Sequence, residues 1–234
     1  LRASKRTNEL DGYLRALDAA GSSINCAPLV GHNTIRAAVV GLAARPATPD
    51  EIRAMTREVE LAMEQGAVGF SSGLAYTPGS AAAMGELETL AAACAARGGV
   101  YTTHIRSEDV RLIESVTEAL ETAFVSGART QLSHHPAKFP SNGRSVETLA
   151  MVDLARARGL DIACDLHPYT AGATWMIQLL PPAGFEGGVA SVTTRLREPA
   201  FRRAMREALL EATEMVAPVQ LIRAGHWDKL RIDY

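Results

Sequence analysis

The sequence predicts an α/β fold built on a parallel sheet, and two observations carry that expectation. Amphipathic helical stretches alternate with short apolar runs at nearly constant spacing, and each run opens into a polar loop. A glycine closes most of the helical stretches, at Gly21, Gly66, Gly98, Gly127 and Gly159. Alternation of this kind builds βα units whose strands run parallel. Strands flanked by helices on both sides are expected to be apolar throughout. Polar residues gather where the strands end. That end carries the site in a closed (β/α) barrel and in an open doubly wound sheet alike.

In chain order, residues 9–20 place Leu10, Leu14 and Leu17 at helical spacing, with Gly21 as the stop. Residues 23–30 read as a short buried strand leading into a loop at Gly31, His32 and Asn33. Thr48, Pro49, Asp50 and Glu51 are a helix start: a hydroxyl cap, a proline in the first turn, then acids. That helix runs to about Gln65 on Ile52, Met55, Val59 and Met63. Residues 67–70 form the second strand, followed by the loop 71–79. Residues 82–97 form a helix with Leu87, Leu90 and Cys94 on one face. The third strand, 100–103, delivers His104 at its exit. A helix at 110–126 and a fourth strand at 130–132 then deliver His134 and His135. A helix at 145–158 and a fifth strand at 160–164 end in Asp165 and His167. Beyond Tyr169 the rhythm breaks. A basic-rimmed helix is expected at 199–212, with short strands at 219–223 and 230–232.

The chain has 234 residues, enough for one large domain or two small ones, and for a core without disulfide staples. A formal net charge of −2 supplies no basic footprint for nucleic acid. No apolar run reaches the ~18 residues of a membrane span. Three widely spaced cysteines with no CxxC point to reduced thiols and a cytoplasmic setting. The chain opens at Leu1 rather than Met and reads as the middle of a longer protein. No GxGxxG or Walker loop stands at any strand exit, which argues against a nucleotide-binding sheet.

His104 and His134 are the sharpest candidates. A single strand-end histidine is ordinarily a hydrogen-bonding residue. Two on consecutive strand exits, each after Thr or Ser, favour a shared metal ion, for which neutral imidazole is the commonest ligand. An open zinc site uses about three protein ligands. His135 neighbours His134, and successive strand residues point to opposite faces, so it is expected outside the site. His32 is a third-ligand or substrate-contact candidate, with a structural role favoured. Asp165 and His167 face the site, or Asp165 orients a histidine from behind. Arg106 and Glu108 either clamp a carboxylate or form a local ion pair, and the pair is favoured. Tyr76 could polarise a carbonyl oxygen. Solvent exposure is expected for His226. Ser72 lies outside any GxSxG elbow.

Several long stretches resemble the N-acyl-D-amino-acid deacylases, or D-aminoacylases, of the amidohydrolase superfamily. They are NCAPLVGHNTIR at 25–36, GAVGFSSGLAYTPG at 66–79, GGVYTTHIRSE at 98–108, QLSHH at 131–135 and DLHPYTAG at 165–172. The resemblance runs over nearly the whole chain. It implies a (β/α)8 TIM barrel of the metal-dependent hydrolase type, with about strands three to seven present. Residues 1–178 would be barrel, and 179–234 an insertion or excursion. It implies zinc-dependent hydrolysis of small-molecule N-acyl-D-amino acids to a carboxylate and a free D-amino acid. By motif match, His104 and His134 are zinc ligands and Tyr76 contacts the substrate near the scissile carbonyl.

The departures from the family pattern are specific. The early HxH pair and zinc-binding cysteine have no match here, and Cys26 is not that cysteine. The strand bearing the catalytic aspartate has none either, and Asp165 is not its equivalent. Ala173, His167 and Pro136 replace residues common in the family, which bears on substrate identity rather than on fold. A second expectation is therefore a truncated, inactive barrel fragment, with neither tight stoichiometric zinc nor turnover in the isolated 234 residues and with exposed sheet edges. Another hydrolase of the superfamily, acting on cyclic amides, fits GLAYTPG and THIRSE less well.

Overall fold

The computed structural model describes residues 10–135, 137–169, 171–185, 188–211 and 217–231. Five parallel strands form one sheet: β1 (Leu29–Gly31), β2 (Gly69–Gly73), β3 (Val100–His104), β4 (Arg129–Leu132) and β5 (Ile162–Cys164). They pair in chain order with no reversal. The order of an open doubly wound sheet reverses at a switch point, and no such point occurs among these strands.

Helix α1 (Leu10–Ala20) precedes the sheet, and α2 (His32–Val39) follows β1 directly. The expected loop at His32 is thus the first turn of a helix. Helix α3 (Pro49–Glu64) starts on a complete capping box. Thr48 Oγ1 accepts the Glu51 N–H, and the Glu51 carboxylate accepts the Thr48 N–H at 2.7 Å. Helices α4 (Met84–Ala95), α5 (Leu112–Ser126) and α6 (Ser145–Ala157) join the remaining strands. Gly127 ends α5 in the left-handed conformation, φ 68°, that glycine adopts without a steric penalty.

The strands are not apolar throughout. Register sets Phe70, Tyr101, Thr130 and Ile162 side by side, and all four are buried. The next row, Ser71, Thr102, Gln131 and Ala163, is partly or fully exposed. Phe70 and Tyr101 pack with Met55 and Val59 of α3 and Leu90 and Cys94 of α4. Leu132 and Ile162 pack with Leu112 and Val116 of α5 and Val152 of α6. One sheet face is therefore sealed by helices, while the other carries small and polar side chains. Side chains alternate across a strand, so coverage of a single face yields alternation rather than an apolar run.

Beyond β5 the chain forms α7 (Gly188–Arg195), α8 (Pro199–Glu211) and α9 (Ala217–Arg223), with short 3-10 turns between and after them. The segment expected as a strand at 219–223 is thus helical. Leu230 only closes the last 3-10 turn, and Ile232 lies outside the described residues. Phe185, Val192, Phe201 and Val219 are buried, and the Arg195 guanidinium lies 4.1 Å from the Phe201 ring centre. Among the described residues no helix is long and apolar enough to cross a membrane.

Candidate metal centre

His104 ends β3 in the row of Val100 and Thr102, so its ring emerges on the face that the helices leave open. His134 lies two residues past β4. Regular alternation would send it toward the helices with Thr130 and Leu132. Instead it takes a left-handed conformation, φ 40°, the one positive φ outside glycine among the described residues. The strand's phase breaks there. His134 Nε2 comes within 3.0 Å of His104 Nδ1, and the two rings meet edge-on at 4.5 Å. His135 turns the other way, is buried, and bonds Thr148 of α6 through Nε2 at 2.8 Å.

Glu108 is the third member. Its side chain is buried, with Oε1 3.0 Å from His134 Nδ1 and Oε2 3.9 Å from His104 Nε2. The approach of His134 is not aligned as a hydrogen bond, and Oε1 has no hydrogen-bond partner. Lys138 donates its ammonium to Glu108 Oε2, and its backbone N–H donates to the Glu108 carbonyl at 2.7 Å. Donor atoms from His104, Glu108 and His134 lie within 4.8 Å of one another. The Tyr76 ring stands 4.8 Å from His104, and His167 stacks on His134 at 5.2 Å, nearly parallel.

The electrostatics suit cation binding. Burial pulls His104 down to about 4, so near neutral pH its imidazole is uncharged and offers a lone pair. Burial also pushes Glu108 up, but His134, His104 and Lys138 together outweigh it and hold the carboxyl at about 2. Contact with that carboxylate raises His134. Two imidazoles and an ionised carboxylate with one unpartnered oxygen form a donor set that fits zinc or a similar borderline divalent ion.

No protein-family model matches the chain. It is 45% identical over 166 residues to an N-acyl-D-glutamate deacylase of Alcaligenes xylosoxydans xylosoxydans, an alignment covering 70% of this chain and 34% of that protein. It is 38% identical over 176 residues to a D-aminoacylase of the same organism, covering 75% and 36%. The crystal structure of N-acyl-D-glutamate deacylase from Bordetella bronchiseptica was solved with zinc and a phosphonate inhibitor, a mimic of the reaction tetrahedral intermediate. It superposes with a TM-score of 0.67 at 42% identity, over 69% of this chain and 34% of that one.

The chain belongs to the N-acyl-D-amino-acid deacylase family.

It spans about a third of the length of the curated relatives it matches. The remaining candidates of this deacylase-family chain fall into place around the cluster. His32 is neither a ligand nor a substrate contact. It is fully buried, with Nε2 2.7 Å from Glu86 Oε1, and Arg36 holds the other Glu86 oxygen at 2.5 Å. Arg36 also donates to the carbonyls of Pro78 and Arg45, so this polar core backs the loop that carries Tyr76. Arg106 does not pair with Glu108. It reaches Glu118 of α5 at 2.7 Å and the carbonyl of Ser80 at 2.7 Å. Asp165 orients the histidine from behind: its carboxylate accepts the His134 backbone N–H and, at 2.7 Å, the Gln131 amide. His226 is exposed and lies edge-on to Phe139 at 5.6 Å. Pro136 lies outside the described residues.

Reading by residue type missed Glu108 as a donor and Lys138 as its counter-ion. The available signal was the spacing of four between His104 and Glu108. It looked like a neighbour of Arg106 because the segment between is irregular rather than helical.

Proposed function

We propose that this chain carries part of the active site of a zinc-dependent deacylase that hydrolyses N-acyl-D-amino acids to a carboxylate and a free D-amino acid. The observation that carries this reading is the convergence of His104, His134 and Glu108 beside Tyr76 on the open face of the sheet. The family relationship and the zinc in the Bordetella relative support it. His104 and His134 hold the ion, with Glu108 as a third donor. Zinc bound there lowers the pKa of a water toward neutrality and polarises the amide carbonyl.

Other groups of this chain support that chemistry, while the carboxylate that would take the water's proton and return it to the leaving nitrogen has no match in these 234 residues. Burial, with Glu108 nearby, raises the Tyr76 hydroxyl, so it keeps its proton and donates a hydrogen bond to the oxygen on which charge develops. His167 covers one face of the His134 ring and holds it in plane. Lys138 balances the buried charge of Glu108.

The architecture follows the same reading. Strands pairing in chain order, with helices on one face only, suit an arc of a (β/α)8 barrel of the metal-dependent hydrolase type. The five strands correspond to about strands three to seven. Residues 1–178 form this arc, and 179–234 an excursion from it. The partner is a small molecule rather than a nucleic acid or a membrane.

The test is zinc titration together with release of free amino acid from N-acetyl-D-glutamate, N-acetyl-D-aspartate and their L enantiomers. In a full-length form that also carries the zinc-binding cysteine and the catalytic aspartate, zinc-dependent release from the D series, abolished by His104→Ala, is expected, whereas the 234 residues alone are expected to release none. Zinc binding by that full-length form with no release from any D substrate overturns deacylation, and no zinc binding overturns the metal centre.

A further inference from the structure

To meet His104, His134 must leave the alternation of β4, and it does so in a left-handed conformation, φ 40°. That region is disfavoured for any residue with a Cβ, and such a residue persists only where its surroundings enforce it. Asp165 supplies the enforcement. Its Oδ1 accepts the His134 N–H. Its carbonyl accepts the His135 N–H at 2.7 Å, and its own N–H donates to the Leu132 carbonyl at 3.2 Å. Its Oδ2 is tethered by the Gln131 amide at 2.7 Å. The aspartate thus clasps the chain on both sides of the phase break.

We infer that Asp165 is a positioning residue: it holds the left-handed turn at His134 and so sets the direction from which that imidazole meets a cation shared with His104 and Glu108. Asp165 acts through the backbone of His134. The inference rests on the reading of His134 as a metal ligand. Partners behind a ligand commonly govern metal affinity by roughly 10–100-fold. What matters in Asp165 is an acceptor oxygen in the right place, which asparagine keeps and alanine loses.

The experiment uses the full chain. Zinc affinity is measured by competition with a chromophoric chelator, ligand geometry by the visible absorption of the cobalt(II) form, and folding by circular dichroism. Asp165→Ala is expected to weaken zinc by roughly 10–100-fold and to change the cobalt spectrum, while Asp165→Asn restores both nearly to wild type. Gln131→Ala, which loosens the tether and leaves Asp165 in place, shifts affinity in the same direction by less, and carries the test if Asp165→Ala fails to fold. A wild-type chain that binds no zinc overturns the metal centre and this inference together. Zinc binding that Asp165→Ala and Gln131→Ala leave unchanged overturns the inference alone. So does Asp165→Asn as weak as Asp165→Ala, which would assign the effect to charge.

Discussion

His134 and His135 are consecutive in the chain and serve opposite faces of the sheet. His134 lies 3.0 Å from His104 on the open face, and His135 is buried against Thr148 of α6 at 2.8 Å. Their substitutions should therefore separate. His134→Ala is expected to weaken zinc binding sharply while the fold persists. His135→Ala is expected to leave zinc affinity unchanged and to cost about 1–3 kcal/mol, because it leaves Thr148 without that buried partner. Zinc titration and urea denaturation of the two variants check this.

Glu86 joins His32 and Arg36 in a fully buried network. Glu86→Gln is expected to destabilise the fold by about 3–5 kcal/mol, since a buried guanidinium loses its counter-charge. Burial pushes the Glu86 carboxyl up, but His32 and Arg36 outweigh it, and its pKa in the folded chain lies below the ordinary value. The unfolded chain then takes up its proton first on acidification. The stability from this group is complete above the usual carboxylate pKa of about 4.3 and is lost as pH falls toward the folded value. Melting temperature against pH should show a steeper acid limb in wild type than in Glu86→Gln.

Gly69 admits no side chain. A Cβ there would lie 2.2 Å from the Val100 carbonyl oxygen and 2.8 Å from Leu29 Cδ2, within the ladder joining β1, β2 and β3. Gly69→Ala is expected to cost about 1–3 kcal/mol or more, as overpacking does. Gly172, with nothing within 4 Å of the same atom, is the control, and Gly172→Ala should be nearly neutral. Chemical denaturation of the pair reads the difference.

Tyr76→Phe keeps the ring beside His104 and removes only the hydroxyl. On the proposed chemistry it is expected, in the full-length form, to lower kcat by roughly 10²–10³-fold, the usual effect of losing one donor to a developing oxyanion. KM and zinc affinity should change little. Steady-state kinetics on N-acetyl-D-glutamate with zinc titration in parallel separates the hydroxyl's role from that of the ring.

Much of the fold was legible because its signals are local. The capping box at Thr48 and Glu51 needs only a spacing of three residues, and it forms as read. The glycines closing α1, α3, α5 and α6 mark where the chain must take a conformation that other residues resist. The helix at 32–39 was obscured because α2 follows β1 with no loop between them and has no side-chain cap. Residues 219–223 carry Val219, Leu221 and Ile222, which read as a short strand, yet they lie within α9. In a short apolar run, pattern alone does not separate strand from helix.

By itself the sequence determined the α/β alternation, the parallel strands and the pairing of His104 with His134, because periodicity, caps and motif spacing are properties of adjacent residues. Tertiary structure decided the rest. It chose which sheet face the helices cover, and hence that His104 emerges on the open one. It bent the backbone at His134 so that this ring, and not that of His135, joins the cluster. It brought Glu108 and Lys138 together from 30 residues apart, and sent Arg106 and His32 to other partners. Those choices depend on packing between distant segments and on one unfavourable backbone conformation held by Asp165, neither of which is written in any local run of residues.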